Sequence, residues 1–182
     1  MLKNKNIILG VTGSIAAYKA ATLVNTLKAA GAKVDVIMTE NATRFITPLT
    51  LQTLSGRTVY LEMFNTPEQE MELKHISLAD RADVLVVAPA TANVIGKVAS
   101  GIADDLLTST VMATKAPVLF APAMNVHMWQ NPVVRKNVGT LKKLGYHFAG
   151  PVKGRLACGY SGEGRLADIG EIVAQIRKLL KK

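Results

Sequence analysis

The segment Pro122-Ala-Met-Asn-Val-His-Met-Trp129 directly follows the apolar run Ala116-Pro-Val-Leu-Phe-Ala121. That run reads as a buried strand of a parallel sheet. Ligands of open α/β sheets sit outside the carboxyl ends of the strands, so the residues after Ala121 are expected to project into a binding crevice. One Asn, two Met and one Trp at that place make an apolar site with a single strong hydrogen-bonding head. Such a site suits a small planar cofactor and a polar substrate tip.

A second strand end has the same character. Pro89-Ala-Thr-Ala-Asn93 leaves an apolar run much as Pro122–Asn125 does. Side by side, the two would form one crevice in which small residues let a flat ring lie on backbone while Asn93 and Asn125 meet its polar edge. Helix N-capping is the plain alternative for both Asn residues, and it is compatible with ligand binding. Gly10-Val-Thr-Gly-Ser14 sits between a strand and a helix, where bare backbone and a helix N-terminus favour an anion. The third glycine of the dinucleotide fingerprint is absent. Thr39 ends another strand and adds a hydroxyl to the same region. His75, in Lys74-His-Ile-Ser-Leu78, is of the residue type that serves as a general base near neutral pH, or else a satisfied structural histidine. The three histidines and Cys158 lack metal-ligand spacing, so no metal site is expected.

Bulk properties narrow the classes. With 49% hydrophobic and 19% charged residues, a 182-residue chain is that of a folded domain rather than a disordered one. No apolar run reaches the roughly 20 residues of a membrane span. The N-terminus lacks the apolar core and cleavage site of a signal peptide, and a single cysteine excludes an internal disulfide framework. A cytoplasmic location follows as the expectation. The net charge of +9 is spread partly over the two ends of the chain, and 5% aromatics are too few for a base-stacking platform. Nucleic acid is therefore not the expected partner; phosphorylated small molecules are.

The elements that position these residues alternate. Strands are predicted at 7–12, 33–38, 82–88, 116–121 and 146–149. Helices are predicted from Gly13 to about Ala30, from Thr39, from Pro48 to Ser55, at about 91–100, 104–113 and 132–144, and from Asp168 to the end, where Asp168-Ile-Gly-Glu171 reads as a capping box. The first helix is expected to bury a stripe of Ile15, Tyr18, Ala21, Thr22, Val24 and Leu27. Residues 64–73 read as a surface loop. Glycines at 150, 154, 159, 162 and 164 are too dense for a regular element and suggest a mobile lid around Cys158, or a plain connection. The pattern is α/β: a doubly wound parallel sheet, Rossmann/flavodoxin-like, in three α/β/α layers over a single domain 1–182.

Taken together, Gly13-Ser-Ile-Ala-Ala-Tyr-Lys19, His75, Ala82–Asn93, Gly96–Leu107, Pro122–Trp129 and Ala157-Cys-Gly-Tyr-Ser-Gly-Glu-Gly-Arg165 resemble the homo-oligomeric flavin-containing cysteine decarboxylases over nearly the whole chain. The resemblance implies FMN as cofactor, bound by Gly13, Ser14, Thr39, Phe45, Ala92, Asn93 and Ala123. It implies decarboxylation of 4′-phosphopantothenoylcysteine to 4′-phosphopantetheine in coenzyme A biosynthesis, through thiol oxidation to a thioaldehyde, loss of CO2 and reduction of the enethiolate. A carboxylate β to a C=S bond leaves as CO2 far more readily than one beside an amide nitrogen, which has no electron sink.

By the same resemblance His75, Asn125 and Cys158 are catalytic. His75 acts as base during thiol oxidation, Asn125 holds the substrate carboxylate, and Cys158 returns a proton. Asn125, Met128, Ala157 and Cys158 bind substrate, the last two within a substrate-clamp loop at about 150–166. Plant and animal relatives carry two arginines after the histidine; Ala79-Asp80 stands there here, with Arg81 next, leaving the phosphate contact unassigned. The resemblance also implies a homotrimer or a dodecamer assembled from trimers, and either a free-standing enzyme or the first half of a chain that continues into a phosphopantothenate–cysteine ligase. Three readings compete: a peptidyl-cysteine decarboxylase of lantibiotic maturation, a prenylated-flavin synthase, and a non-catalytic flavin-binding regulatory subunit.

Overall fold

The computed structural model describes residues 2–63, 74–157 and 159–181. Its centre is a six-stranded sheet, all parallel, built from β1 (Asn6–Val11), β2 (Lys33–Met38), β3 (Val59–Tyr60), β4 (Val84–Ala90), β5 (Val118–Pro122) and β6 (His147–Phe148) in the order β3-β2-β1-β4-β5-β6. This is the Rossmann order, and its reversal point lies between β1 and β4.

Every residue of β4 and β5 is buried, because helices cover both faces and the strands have no solvent side to mark with polar residues. Side chains instead sort by parity. Ile7, Leu9, Val84, Val86, Leu119 and Ala121 pack under α1 (Lys19–Ala29), α3 (Pro48–Ser55) and α9 (Ile169–Leu179). Ile8, Leu85, Val87, Val118 and Phe120 pack under α4 (Lys74–Arg81), α5 (Ala92–Ala99), α6 (Leu106–Ala113) and α8 (Pro132–Lys143). Two short helices, α2 (Glu40–Thr43) and α7 (Val126–Gln130), follow the ends of β2 and β5.

Several expectations are corrected. The first helix opens as a 3-10 turn, Ile15–Tyr18, and its buried stripe is Ala20, Leu23, Val24 and Leu27; Ile15 and Tyr18 are exposed. The helix stops, as expected, at Gly31, whose φ of +89° suits glycine. The predicted capping box at Asp168 does not form, and Asp168 Oδ1 lies 3.5 Å from Arg165 instead. A helix, α4, precedes β4 and carries His75, and the two-residue edge strand β3 was not expected. The predicted surface loop at 64–73 lies outside the described residues.

The glycine-dense stretch is also regular. β7 (Val152–Arg155) and β8 (Ser161–Arg165) form an antiparallel ribbon with Gly154 opposite Gly162. A Cβ on Gly162 would stand 2.7 Å from Val126 Cγ2, and one on Gly164 would stand 2.3 Å from the Met124 carbonyl oxygen. The glycines bring the ribbon down onto the segment after β5 rather than breaking the chain.

Candidate active site at the carboxyl edge of the sheet

β4 and β5 end side by side, with Ala90 opposite Pro122 and the Ala123 N–H donating to the Ala90 carbonyl at 3.1 Å. The β1 end is tied to β4 by one side chain. Buried Thr12 donates its hydroxyl to the Pro89 carbonyl at 2.7 Å and accepts the Thr91 N–H at 3.1 Å. Thr91 then caps α5, its Oγ1 accepting the Val94 N–H. Asn93 therefore does not cap; it stands exposed in the first turn of α5. Asn125 does cap, its Oδ1 accepting the His127 N–H at 2.8 Å at the start of α7. Ser14 caps the 3-10 turn through the Ala16 N–H at 3.3 Å.

Two crevices open along this edge. The first, about 490 Å³, is lined by Gly13, Thr39, Ala92, Asn93 and Met128, with Thr12, Thr91 and the apolar Met38, Leu61 and Leu107. The second, about 520 Å³, is lined by Ser14, Ala123, Met124, Asn125, Ala157 and Leu156, among others. They adjoin where Gly13 meets Ser14 and where α7 carries Asn125 and Met128. Of the seven expected cofactor residues, the structure thus places four in the first crevice and Ser14 and Ala123 in the second. Phe45 lines neither and is exposed. Met128, expected near the substrate, faces the first crevice.

The first crevice fits a flavin's donor set: volume in the range of small-molecule sites, apolar walls, and hydroxyl and amide groups at its rim. Thr39 makes no side-chain capping bond at the start of α2. Lys97 also lines this crevice, 2.7 Å from Asp104 and 3.3 Å from Asp105. Its hydrogen bond to Asp104 raises its pKa above the ordinary lysine value against the opposing effect of burial, and the same bond holds the Asp104 carboxyl low. Lys97 is already neutralised by protein carboxylates.

His75 lines neither crevice. It sits at the start of α4, which runs antiparallel to β4 and so begins toward the carboxyl edge; its Nδ1 is buried and has no hydrogen-bond partner among the described residues. Cys158 lies outside the described residues. Trp129 turns away from the crevices into the core beside Phe120 and Val138, with Arg135 stacked 4.8 Å over its ring. His127 meets Tyr160 edge-on at 5.4 Å, a further tie between α7 and the ribbon. Lys19, Arg155 and Arg165 also line the second crevice. Lys19 and Arg165 close two of the motifs that carry the family resemblance, without a role of their own there, while Arg155 is marked only by the excess of positive charge.

The flavoprotein family model matches residues 1–181. The chain is 53% identical over 178 residues to the coenzyme A biosynthesis bifunctional protein CoaBC of Bacillus subtilis, covering 98% of this chain and 44% of that protein. It is 44% identical to a probable phosphopantothenoylcysteine decarboxylase of Streptococcus mutans, covering 97% of this chain and 99% of that one. Among solved structures, a PPC decarboxylase mutant complexed with pantothenoylaminoethenethiol is similar with a TM-score of 0.88 at 33% identity, over 99% of this chain and all of that one. The FMN-dependent cysteine decarboxylase SpaF is similar with a TM-score of 0.86 at 30% identity, over the whole length of both chains. The chain spans less than half the length of the bifunctional relatives it matches.

Proposed function

Because the chain belongs to the flavoprotein family, we propose that it is an FMN-dependent decarboxylase converting 4′-phosphopantothenoylcysteine to 4′-phosphopantetheine in coenzyme A biosynthesis. The observation that carries this reading is the joining of a flavin-sized crevice to a second one at Asn125. The Streptococcus mutans relative supports assigning the chemistry to this stretch, since it is matched nearly end to end and is named for the decarboxylase alone. The two hydrophobic clusters lie on opposite faces of one sheet, which supports reading 1–182 as one unit.

When bound, FMN supplies the electron sink that lets the substrate thiol be oxidised before CO2 leaves and returned to a thiol afterwards. Gly13, Thr39, Ala92 and Asn93 would hold it in the first crevice, with Ser14 and Ala123 reaching it from the second. Asn125 donates its side-chain amide to the substrate carboxylate while its Oδ1 keeps the α7 cap. Met128 and Ala157 pack around the cysteine end, and Cys158 delivers the last proton. His75 takes the proton of the thiol. His75 lines neither crevice of its own chain, so in this reading it acts across a subunit contact of a homotrimer, for which the exposed apolar Phe45 and Leu49 offer surface.

A cytoplasmic location belongs to the same reading; among the described residues no helix is long and apolar enough to cross a membrane. The test is incubation of the FMN-loaded protein with phosphopantothenoylcysteine and, separately, with a peptide ending in cysteine. Release of CO2 from the first alone supports the assignment. Release from the peptide alone supports a peptidyl-cysteine decarboxylase instead, and release from neither supports a regulatory flavin-binding subunit. In Cys158→Ser, turnover at the parent rate would remove the proton-donor role.

A further inference from the structure

Resting on that functional reading, we propose that Arg165 recognises the phosphate of the substrate and sets the preference for the phosphorylated acyl-cysteine. The two crevices carry opposite charge. Carboxylates in the first are Glu40, Asp104 and Asp105 around a Lys97 that two of them already engage. The second is lined by Lys19, Arg155 and Arg165 with no carboxylate among its described lining residues. A phosphate dianion is drawn to the second.

Within that wall Arg165 is the cation held ready. It stands opposite Val152 in the ribbon, and its side chain lies flat across Gly154, where a Cβ would come 3.1 Å from both its Cδ and its Nε. A side chain at 154 would push the arginine off that path by a few tenths of an ångström. Arg165 Nε is buried with no hydrogen-bond partner among the described residues, and its outer nitrogen reaches Asp168 only at 3.5 Å. A guanidinium fixed in this way keeps donors for a bidentate contact with phosphate.

The source of that phosphate is argued from position. Arg165 follows Gly164, whose Cβ would lie 3.5 Å from the Asn125 backbone carbon, so it belongs to the ribbon over Asn125. The expected flavin contacts lie mostly across the junction, in the first crevice. The substrate has its cysteine at one end and its phosphate at the other, joined by an apolar dimethyl segment. Asn125, the apolar Ile15, Leu156 and Leu166, and the arginines line one crevice, and these are the kinds of group that a carboxylate, an apolar segment and a phosphate call for.

The experiment compares the FMN-loaded parent, R165Q and R165K on phosphopantothenoylcysteine and on pantothenoylcysteine without the phosphate. R165Q is expected to lower kcat/KM for the phosphorylated substrate about 10- to 100-fold, mainly through KM, and to leave the unphosphorylated one within about twofold. R165K recovers part of the loss, and the FMN dissociation constant, read by flavin fluorescence, stays at the parent value. Equal loss on both substrates would overturn the assignment in favour of a structural role. Weakened FMN binding with the substrate preference intact would also overturn it, in favour of the cofactor's phosphate. Should R165Q not fold, R165K carries the same contrast. Turnover of neither substrate by the parent would instead overturn the functional reading, and this assignment with it.

Discussion

The Met124 N–H donates to the Gly164 carbonyl at 3.0 Å, and the Met124 carbonyl oxygen occupies the space where a Gly164 side chain would begin, 2.3 Å from an ideal Cβ. This one contact fixes the height of the ribbon over Asn125. It also explains why position 164 is a glycine. The segment after β5 and the ribbon share a backbone hydrogen bond, so the wall of the second crevice is built from two segments some forty residues apart in sequence.

Gly164→Ala is therefore expected to destabilise, because the methyl meets backbone, which yields less readily than a flexible side chain. A cost of about 1–3 kcal/mol lowers Tm by about 2–12 °C. The control is Gly139→Ala, in α8 with nothing within 4 Å of the new Cβ. Replacing a helical glycine in open space raises stability by about 0.5–1 kcal/mol. Thermal unfolding of both variants checks the pair. Gly164→Ala as stable as the parent would refute the close contact.

The difference between these glycines shows what was legible. β1, β4 and β5 announce themselves as continuous apolar runs because both faces of each are covered, and Asn125 could be placed because it follows such a run directly. The ribbon could not, since glycine in sequence signals only a lack of side chain. Whether that means a break or a close approach is decided by Met124 and Val126, far away in the chain. Similar competition misled the cap assignments: Thr91, two residues before Asn93, reaches the α5 N-terminus first, and Asp168 spends its carboxylate near Arg165. Trp129 was grouped with the crevice by its neighbours in sequence, yet α7 turns it into the core. The helix bearing His75 was hidden by its length of eight residues beside a polar stretch.

Thr12→Val tests the tie across the reversal point of the sheet. Valine matches the shape but strands the Pro89 carbonyl and the Thr91 N–H, which are otherwise served by one hydroxyl. A buried pair so deprived costs about 1–3 kcal/mol. Urea unfolding is expected to show that loss, with weaker flavin binding because Thr12 and Thr91 line the first crevice. An unchanged midpoint would mean the hydroxyl contributes nothing there.

Asp83 gives a prediction in pH. Burial alone would push its carboxyl up, but hydrogen bonds from Lys5 Nζ and the Asn6 N–H, both 2.7 Å, hold it below the ordinary carboxylate value. A group whose folded pKa is depressed stabilises above its unfolded value of about 3.9, and that contribution drains away as pH falls through the folded value. Asp83→Asn is accordingly expected to lower Tm near neutral pH, with the gap to the parent closing in acid. The partial exposure of both partners keeps the effect modest. A gap that widens on acidification would reverse the sign of the argument.

Asn125 carries two roles that a single pair of variants can separate. Its Oδ1 caps α7, and aspartate caps as well as asparagine, with a negative charge that the helix N-terminus favours. Asn125→Asp should therefore change stability by less than about 0.5 kcal/mol. The new carboxylate would face the carboxylate of the substrate, and like charges in such contact cost several kcal/mol, so kcat/KM should fall on the order of 100-fold or more. Asn125→Ala removes both functions and should lose about 1 kcal/mol of stability as well as activity. Measured together, Tm and kcat/KM distinguish the roles: an Asp variant as active as the parent would show that Asn125 only caps, because a cap is indifferent to the charge that a bound carboxylate would feel.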